Sequence, residues 1–367
     1  MSQIKLIGKI FTAMLFSIAL LASCQTQEQK VSREEAQQVA DKIEGSVAAG
    51  RPDFINDFID QKIFIKKISK VLKEDKPSLN EGISEGLQRT KLGDQIVAAV
   101  NNKGNYRLVK IFEKDGRQQL LFRMYADHRL NYHDFELVKT GKDVKAADIY
   151  IYLSGDWLSN TMAGTIGMLK EGDLSSANAV SVQDVRSKMS AGNYTEAKRV
   201  FDALPIVIKN SKAFQMMNIL ICSNLEDDDY SKAMDGYKSL YPNEPNMNLM
   251  MIDYYILRKD YPRAMESVNK MDAYIDRDPF LDYYRALIYL LMEDRPKAVE
   301  KLEKLLTAMP GFTEGTQVLL INYLHEKDYD KAVAVAKRYK ADKNYSEEYV
   351  NDLEQKYPDF AAKMRTE

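Results

Sequence analysis

The chain has 367 residues, 45% hydrophobic and 29% charged, a composition that excludes a wholly disordered protein and predicts two or three globular domains. Its 52 basic and 54 acidic residues nearly balance, and no basic block occurs, which argues against a nucleic-acid-binding protein. Two cysteines exclude a disulfide scaffold and three histidines leave little material for a metal site, so we expect neither a metal nor another cofactor.

The first 24 residues are a predicted export signal and no part of the fold. Lys5 and Lys9 supply a positive start, and the apolar run from Ile10 to Ala22 is shorter than the about 20 residues that a membrane-spanning helix needs. The run ends in Leu21-Ala22-Ser23-Cys24, which resembles the lipobox of bacterial lipoproteins. The resemblance implies a diacylglycerol on the Cys24 thiol, cleavage of the signal, and a membrane anchor of several acyl chains. The alternative is an ordinary signal peptide, or a short membrane anchor, in which the cysteine occurs by chance.

The residues after Cys24 indicate where such a lipoprotein would reside. Cleavage removes two lysines and no acidic residue, which leaves a net charge of −4. Gln25 is not the Asp that retains lipoproteins in the inner membrane where that sorting rule holds, and no acidic cluster follows Cys24 to direct surface export. We therefore expect residues 25–32 to be a tether to the outer membrane, with the protein facing the periplasm.

Residues 33–170 are predicted to form an α+β domain in which helices precede an antiparallel sheet. Ser32 and Glu35 have the spacing of a capping box and begin a helix that ends at Gly50. Further helices are predicted over 53–58, 61–72 and 83–100, and strands over 106–114, 118–126, 131–138 and 148–154. Asp115-Gly116 is a predicted hairpin turn. This order resembles the NTF2-like or cystatin-like architecture, which implies helices packed on a curved sheet that often holds a pocket.

One segment of this domain, residues 127–134, invites a catalytic interpretation. His133 is the candidate general base, but the adjacent Asp134 lies on the opposite face of the strand and is poorly placed to orient it. His128 and His133 have no metal-ligand spacing between them. A structural role is therefore the favoured interpretation. If the domain holds a pocket, the candidates to line it are Tyr132, His133 and Trp157.

Residues 171–181 are a predicted linker, and after them one short pattern recurs five times. The copies are Gly192 to Ala197, Asp228 to Ala233, Lys259 to Ala264, Glu293 to Ala298 and Lys327 to Ala332. Successive alanines are 36, 31, 34 and 34 residues apart, which resembles the tetratricopeptide repeat with its period of about 34 residues. The resemblance implies that residues 182–367 form an all-α, TPR-like helical solenoid of about five units.

The recurring pattern has a physical basis in the packing of paired helices. A residue with a short side chain occupies the turn between the two helices, and a Tyr (Arg in the fourth copy) begins the second helix. The small side chain of the Ala lets the two helices approach closely. The residues four positions after each Ala complete an apolar stripe: Phe201, Tyr237, Val268, Leu302 and Ala336. The first unit has a poor first helix over 182–191, expected to serve as a cap, and Ser346 to Tyr357 is a predicted final capping helix.

In tetratricopeptide repeats the first helix of each unit lines a concave surface that usually holds a peptide. The equivalent positions here are Gln215, Asn218 and Cys222; Asn246, Leu249 and Asp253; Phe280, Tyr283 and Leu287; and Glu314, Gln317 and Ile321. They include no Lys or Arg, which disfavours a clamp for a C-terminal carboxylate. Cys222 lies in an apolar run and is expected to act as a small hydrophobe. The alternative for the other positions is packing on the N-terminal domain.

These features predict a non-enzymatic, membrane-anchored lipoprotein of the bacterial envelope that binds a protein or peptide partner through its repeats. Phosphate-binding loops, Gly-x-Ser-x-Gly and zinc-ligand spacings are missing from the sequence. The alternative hypothesis is a small-ligand binder or hydrolase that uses a pocket beside His133 or Trp157.

Overall fold

A computed structural model describes residues 29–101, 104–126, 129–242, 244, 246–342 and 344–366. The predicted signal peptide, Cys24 and His128 lie outside these residues. The described residues divide into two compact units: a sheet unit, formed by residues from 29 to 150 and by 157–163, and a repeat unit, formed by 151–156 and the residues from 164 onward. Within the described part of the chain, no helix combines the length and the apolar character that crossing a membrane requires.

The sheet unit opens with the helices α1 (Arg33–Ala48), α2 (Asp53–Asn56), α3 (Gln61–Leu72), α4 (Pro77–Thr90) and α5 (Leu92–Asn101). The predicted capping box at the start of α1 is confirmed: the Ser32 hydroxyl accepts from the Glu35 backbone N–H, and the Glu35 carboxylate accepts from the Ser32 N–H. α3 has the predicted bounds and is capped by Asp60, whose carboxylate accepts from the Ile63 N–H.

The predicted single helix over 83–100 is wrong, because two helices occupy this stretch. Lys91 adopts a left-handed conformation, with φ at 43°, and so ends the helical geometry between α4 and α5. The break lets α5 pack against α2. At this contact a Cβ on Gly93 would lie only 2.3 Å from the Pro52 carbonyl oxygen, so the close approach depends on glycine.

The sheet is an antiparallel meander with the strand order β1-β2-β3-β4-β5. Its strands are β1 (Asn105–Lys114), β2 (Arg117–Ala126), β3 (Arg129–Thr140), β4 (Asp143–Ile151) and β5 (Asp156–Trp157). The predicted hairpin turn between β1 and β2 is confirmed. Asp115 and Gly116 have φ values of 51° and 78°, and positive φ at both positions is what a type I′ turn requires.

The predicted strand over 148–154 is wrong in its bounds. β4 begins at Asp143, directly after a turn at Gly141 with φ at 68°, and ends at Ile151. Leu153, which lies within the predicted strand, is 38% exposed in the turn that follows β4. In the first half of β4, Val144 is the only large apolar side chain, and the polar-apolar alternation of residues 143–146 is too short to indicate a strand by itself.

One face of the sheet carries the aromatic core of the unit. Phe122 on β2 and Phe135 on β3 are fully buried and meet edge to face, with their ring centroids 5.8 Å apart. Phe122 also stacks on Tyr106 of β1 at 4.9 Å. α1 contacts β1 and β2 and buries Ile43 completely. His133, the cross-strand neighbour of Phe122, is thereby placed inside the unit.

The repeat unit is built mainly from helices. α6 (Leu158–Lys170) begins in the sheet unit and continues into the repeat unit from residue 164. The helices that follow it are α7 (Ser176–Ser190), α8 (Tyr194–Asp202), α9 (Ile206–Asn210), α10 (Lys212–Cys222), α11 (Asp227–Leu240), α12 (Met247–Leu257), α13 (Tyr261–Tyr274), α14 (Leu281–Leu291), α15 (Arg295–Ala308), α16 (Thr313–His325) and α17 (Tyr329–Lys340). Consecutive long helices from α7 and α8 through α16 and α17 contact each other as pairs, which confirms the predicted TPR-like series of hairpins. α7 begins earlier than predicted, because Ser175 caps it through the Asn178 N–H.

The turns inside these hairpins repeat one geometry. A left-handed residue, at Gly192, Lys259, Glu293 or Lys327, is followed by Asn193, Asp260, Asp294 or Asp328, whose side-chain oxygen caps the second helix. The alanines of the pattern are buried, from 0% exposed at Ala264 to 6% at Ala233, as their predicted role at the helix crossing requires. The second copy differs, because α11 begins at Asp227, before the Tyr230 that was predicted to begin it, and Glu226 provides no side-chain cap.

The C-terminal end of the repeat unit is a shortened hairpin of α18 (Glu347–Lys356) and α19 (Pro358–Thr366). The predicted cap is confirmed, since the Ser346 hydroxyl accepts from the Tyr349 N–H. α19 is not predicted by the sequence pattern. It packs on α17 and α18 and buries Phe360 completely, so it covers the apolar side of α17.

Candidate functional site

His133, the candidate base of the sheet unit, is buried with partners on both ring nitrogens. The Tyr106 hydroxyl lies 3.0 Å from Nδ1, and the Asn131 side-chain nitrogen lies 3.1 Å from Nε2. The Asn131 side-chain oxygen accepts from the Tyr132 N–H, which orients the amide so that its nitrogen donates to Nε2. The proton of the ring is therefore on Nδ1 and is donated to Tyr106. Burial lowers the pKa of His133 to about 4, so the ring is neutral at pH 7.

This geometry gives His133 the features of a structural residue and not those of a general base. Its side chain is 3% exposed. Asp134 pairs across the strands with Leu121, whereas His133 pairs with Phe122, so the two side chains lie on opposite faces of the sheet. Burial raises the pKa of Asp134 to about 7. A catalytic dyad of these neighbours therefore cannot form.

The residues predicted to line a pocket are not brought together around one space. Tyr132 is fully buried and lies on the face of β3 opposite to His133. Trp157 is half-buried in β5, where its ring meets Tyr150 edge to face at 5.6 Å and the Lys67 ammonium lies 5.0 Å from its ring centroid. Trp157 therefore belongs to a charged cluster.

That cluster is formed by residues far apart in the sequence. Lys67 on α3 contacts Glu136 and lies 3.5 Å from Asp148, and Arg117 also binds Glu136. Asp148 is 1% exposed and accepts hydrogen bonds from the backbone N–H and the hydroxyl of Ser159. Burial raises the pKa of this carboxyl group. Each carboxylate has a cation or donors of its own, so the cluster is suited to holding α3 on the sheet.

In the repeat unit, the predicted first-helix positions divide into buried and accessible side chains. The buried positions are Gln215, Cys222, Asn246, Leu249, Phe280 and Tyr283; the accessible ones are Asn218, Asp253, Leu287, Glu314, Gln317 and Ile321. Phe280, for example, packs against Tyr284 of α14 and against Phe312 of the next hairpin. The expected continuous open surface does not extend to the buried positions, because their side chains fill the space between neighbouring helices.

Asn246 is the most enclosed of these residues. It is 0% exposed, and its amide nitrogen lies 3.4 Å from the Tyr237 hydroxyl and 3.5 Å from the Leu153 carbonyl oxygen. Gly155, with φ at 66°, passes so close that a Cβ there would lie 2.4 Å from the Asn246 side chain. The Lys212 ammonium donates to the Gly155 carbonyl oxygen at 2.7 Å. Residues 151–156 are thus held against the repeat helices.

The accessible positions continue as a row along the first helices. Asp253, Leu287 and Ile321 occupy the same register position on α12, α14 and α16. One turn later, Leu257 and Leu291 are 37% and 45% exposed. We call these five residues the first-helix row. Since equivalent positions of stacked repeats lie side by side, the row is a mainly apolar strip that a partner can cover.

Cys222 has the environment that the sequence predicts for it. It is 1% exposed and packs with Met234, Tyr237 and Met251. Burial raises the pKa of its thiol to about 11, which keeps the sulfur protonated at pH 7. The thiol therefore serves as part of the apolar core.

Comparison with known proteins gives similarity to solved structures of repeat proteins. No protein-family model matches the chain, and no curated protein matches it. A MamA structure from Desulfovibrio magneticus RS-1 is 18% identical, with 44% of this chain and 90% of that chain covered and a TM-score of 0.37. A PilF structure from Pseudomonas aeruginosa is 14% identical, with 49% and 91% covered and a TM-score of 0.35. It is the hairpins themselves, with their recurring turns, that identify the repeat unit as TPR-like.

Proposed function

We propose that this protein is a non-enzymatic lipoprotein of the bacterial envelope that binds a protein partner along its first-helix row. The observation that carries the proposal is the exposure of apolar side chains at equivalent positions of consecutive repeats, above all Leu257 and Leu291. A folded protein gains little by exposing such side chains in register, whereas a partner that buries them gains about 25 cal/mol per Å² of apolar area.

The composition of the row narrows the class of partner. Its members are four aliphatic side chains and Asp253, and no Lys or Arg lies among them. The partner that fits is an amphipathic helix or an extended segment with apolar anchors, bound chiefly by apolar burial. The anchor on Cys24 would hold this surface at the outer membrane, facing the periplasm.

Binding along the row is tested by reversing its character at one exposed position. We expect proteins retained by the full-length chain from detergent-solubilised envelopes to be lost with Leu291→Arg, because a guanidinium placed in an apolar contact is desolvated without a partner. Leu240→Arg on the second helix α11 is the matched control, since Leu240 is 43% exposed and Leu291 45%. If the retained proteins do not depend on residues 182–367, the proposal is wrong.

The lipid anchor is tested separately with Cys24→Ser. This change removes the thiol that would carry the lipid and keeps the apolar run and its positive flank. We expect labelling with a fatty-acid analogue to disappear and the precursor to remain unprocessed. Labelling that persists in the serine variant, or continued cleavage to a soluble periplasmic protein, would contradict the lipoprotein assignment.

A further inference from the structure

Three consecutive repeats share a second set of equivalent residues, on the side of their second helices. In each, a basic side chain lies over a tyrosine ring eight residues earlier: Arg263 over Tyr255 at 5.9 Å, Lys297 over Tyr289 at 5.5 Å and Lys331 over Tyr323 at 5.2 Å. The recurrence shows that the three hairpins share one register, so the spaces between their successive second helices can be compared position by position. Differences among their linings are therefore differences in chemistry at one position.

Two of these spaces are open grooves. One has a volume of about 380 Å³ and is lined by α15, α16 and α17, and we call it the Arg338 groove. The equivalent groove two repeats earlier, lined by α11, α12 and α13, has a volume of about 360 Å³. Both volumes fall in the range of about 300–1,000 Å³ that ligand pockets occupy.

The space between these two is bridged by a side chain of the protein itself. Arg285 takes the register position that Met251 and Leu319 hold in the open grooves. Its guanidinium donates to Asp272 at 2.7 Å and to Asp282 at 2.8 Å, and the side chain is 14% exposed. The middle repeat therefore provides an internal comparison in which α13 and α14 are joined by an ion pair.

The Arg338 groove combines an apolar lining with an available positive charge. Leu306, Leu319 and Val335, which are 1%, 2% and 8% exposed, form the apolar floor of the groove, and the exposed Ala334 adds apolar surface, while Glu303, Lys331 and Arg338 supply charge. Glu303 accepts from the Tyr323 hydroxyl and lies 3.9 Å from Lys331, which is itself 3.7 Å from Asp328. Among the residues that the structure describes, Arg338 has no ion-pair partner. A ligand carboxylate is the group that would form an ion pair with the Arg338 guanidinium.

We infer that the Arg338 groove binds a short segment of a partner protein that carries an aliphatic side chain next to an Asp or Glu. The aliphatic side chain packs on Ala334 and Val335, and the carboxylate accepts from the Arg338 guanidinium. This inference rests on the proposed function, and it assigns the second-helix side of the repeats a role separate from that of the first-helix row.

The test uses a phage-displayed library of random decapeptides, selected on the detergent-solubilised full chain. We expect enriched peptides to contain an aliphatic residue beside Asp or Glu. Their affinity, measured by fluorescence anisotropy, should fall by about 10-fold in Arg338→Gln, the loss of one charge-assisted hydrogen bond. Lys304→Gln is the matched control, because Lys304 holds the equivalent position beside Arg285 and is itself paired with Asp282. It should leave the affinity within about 2-fold.

A second pair of variants tests the groove by filling it. Ala334 is exposed and lines the groove, so Ala334→Trp should block binding without disturbing the core. Glu300→Trp, at the equivalent position of the preceding repeat, should leave binding unchanged. Peptides that lose affinity with Leu291→Arg and not with Arg338→Gln would overturn the groove assignment and leave the proposed function standing. A selection that enriches no peptide also overturns the assignment, while the envelope retention experiment judges the proposed function independently.

Discussion

Replacement of Gly155 by Ala is expected to lower the stability of the repeat unit by about 3 kcal/mol. Two costs combine. An L-residue at φ of 66° is strained by about 1 kcal/mol, and the new Cβ would lie 2.4 Å from the Asn246 side chain. Asn246 cannot retreat, because it is 0% exposed and lies between the Tyr237 hydroxyl and the Leu153 carbonyl oxygen.

Gly192→Ala separates the two costs. Gly192 also lies in the repeat unit and has a φ of 72°, close to that of Gly155, but nothing lies within 4 Å of where its Cβ would be. This control should lose about 1 kcal/mol. Urea unfolding followed by far-UV circular dichroism measures both variants, and Gly155→Ala combined with Asn246→Ala should recover part of the loss. Equal losses in Gly155→Ala and Gly192→Ala would contradict the close contact with Asn246.

The stability cost of His133→Gln is expected to shrink by about 3 kcal/mol when the pH is lowered from 7 to 4. Burial lowers the pKa of His133 to about 4 in the folded protein, whereas the ordinary value of 6.5 applies to the unfolded chain. As the pH falls below 6.5, the unfolded chain takes up a proton that the folded protein does not, so the wild-type protein loses stability. The Gln variant has no such proton to gain and is spared this loss.

The wild-type protein must be compared with the His133→Gln variant, because Asp134 changes the pH dependence of stability in the opposite direction to His133. Burial raises the pKa of Asp134 to about 7, so the folded protein holds a proton between about pH 4 and 7 and gains stability as the pH falls through this range. Trp157, the single tryptophan, reports unfolding of the sheet unit by fluorescence. Phe122→Leu changes the neighbour of His133 without a titratable group, and its cost should be the same at both pH values. A cost of His133→Gln that does not change with pH would contradict the prediction.

The elements that could be predicted from sequence are those whose causes lie next to each other in the chain. The capping box of α1 needs only Ser32 and Glu35, and the hairpin turn after β1 needs only Asp115 and Gly116. The turns of the repeats are set by a left-handed residue and the capping residue after it, as at Lys259 and Asp260. Such local signals recur with each hairpin and reinforce one another.

The burial of individual side chains could not be predicted, because it depends on residues that are far away in the sequence. The register of α12 correctly placed Leu249 and Asp253 on one helical face, but it could not show that the first is buried and the second exposed. Asn246 looks like a surface residue by type, and it is enclosed partly by Leu153, which is 93 positions earlier in the chain. The same reason hides the contact of Lys67 with Glu136, which are 69 positions apart.

Because the segments of the two units alternate along the chain, they affect folding during synthesis and the design of truncated fragments. Residues 151–156 belong to the repeat unit, and the chain then returns to the sheet unit for residues 157–163. During synthesis the sheet unit therefore cannot be completed until Ala163 has emerged, after the first segment of the repeat unit is already exposed. A fragment that ends before residue 151 would lack β5 and the start of α6. A fragment that ends after residue 163 would contain residues 151–156 without the repeat helices that they pack against. No single cut releases either unit intact, so limited proteolysis should yield fragments that remain associated.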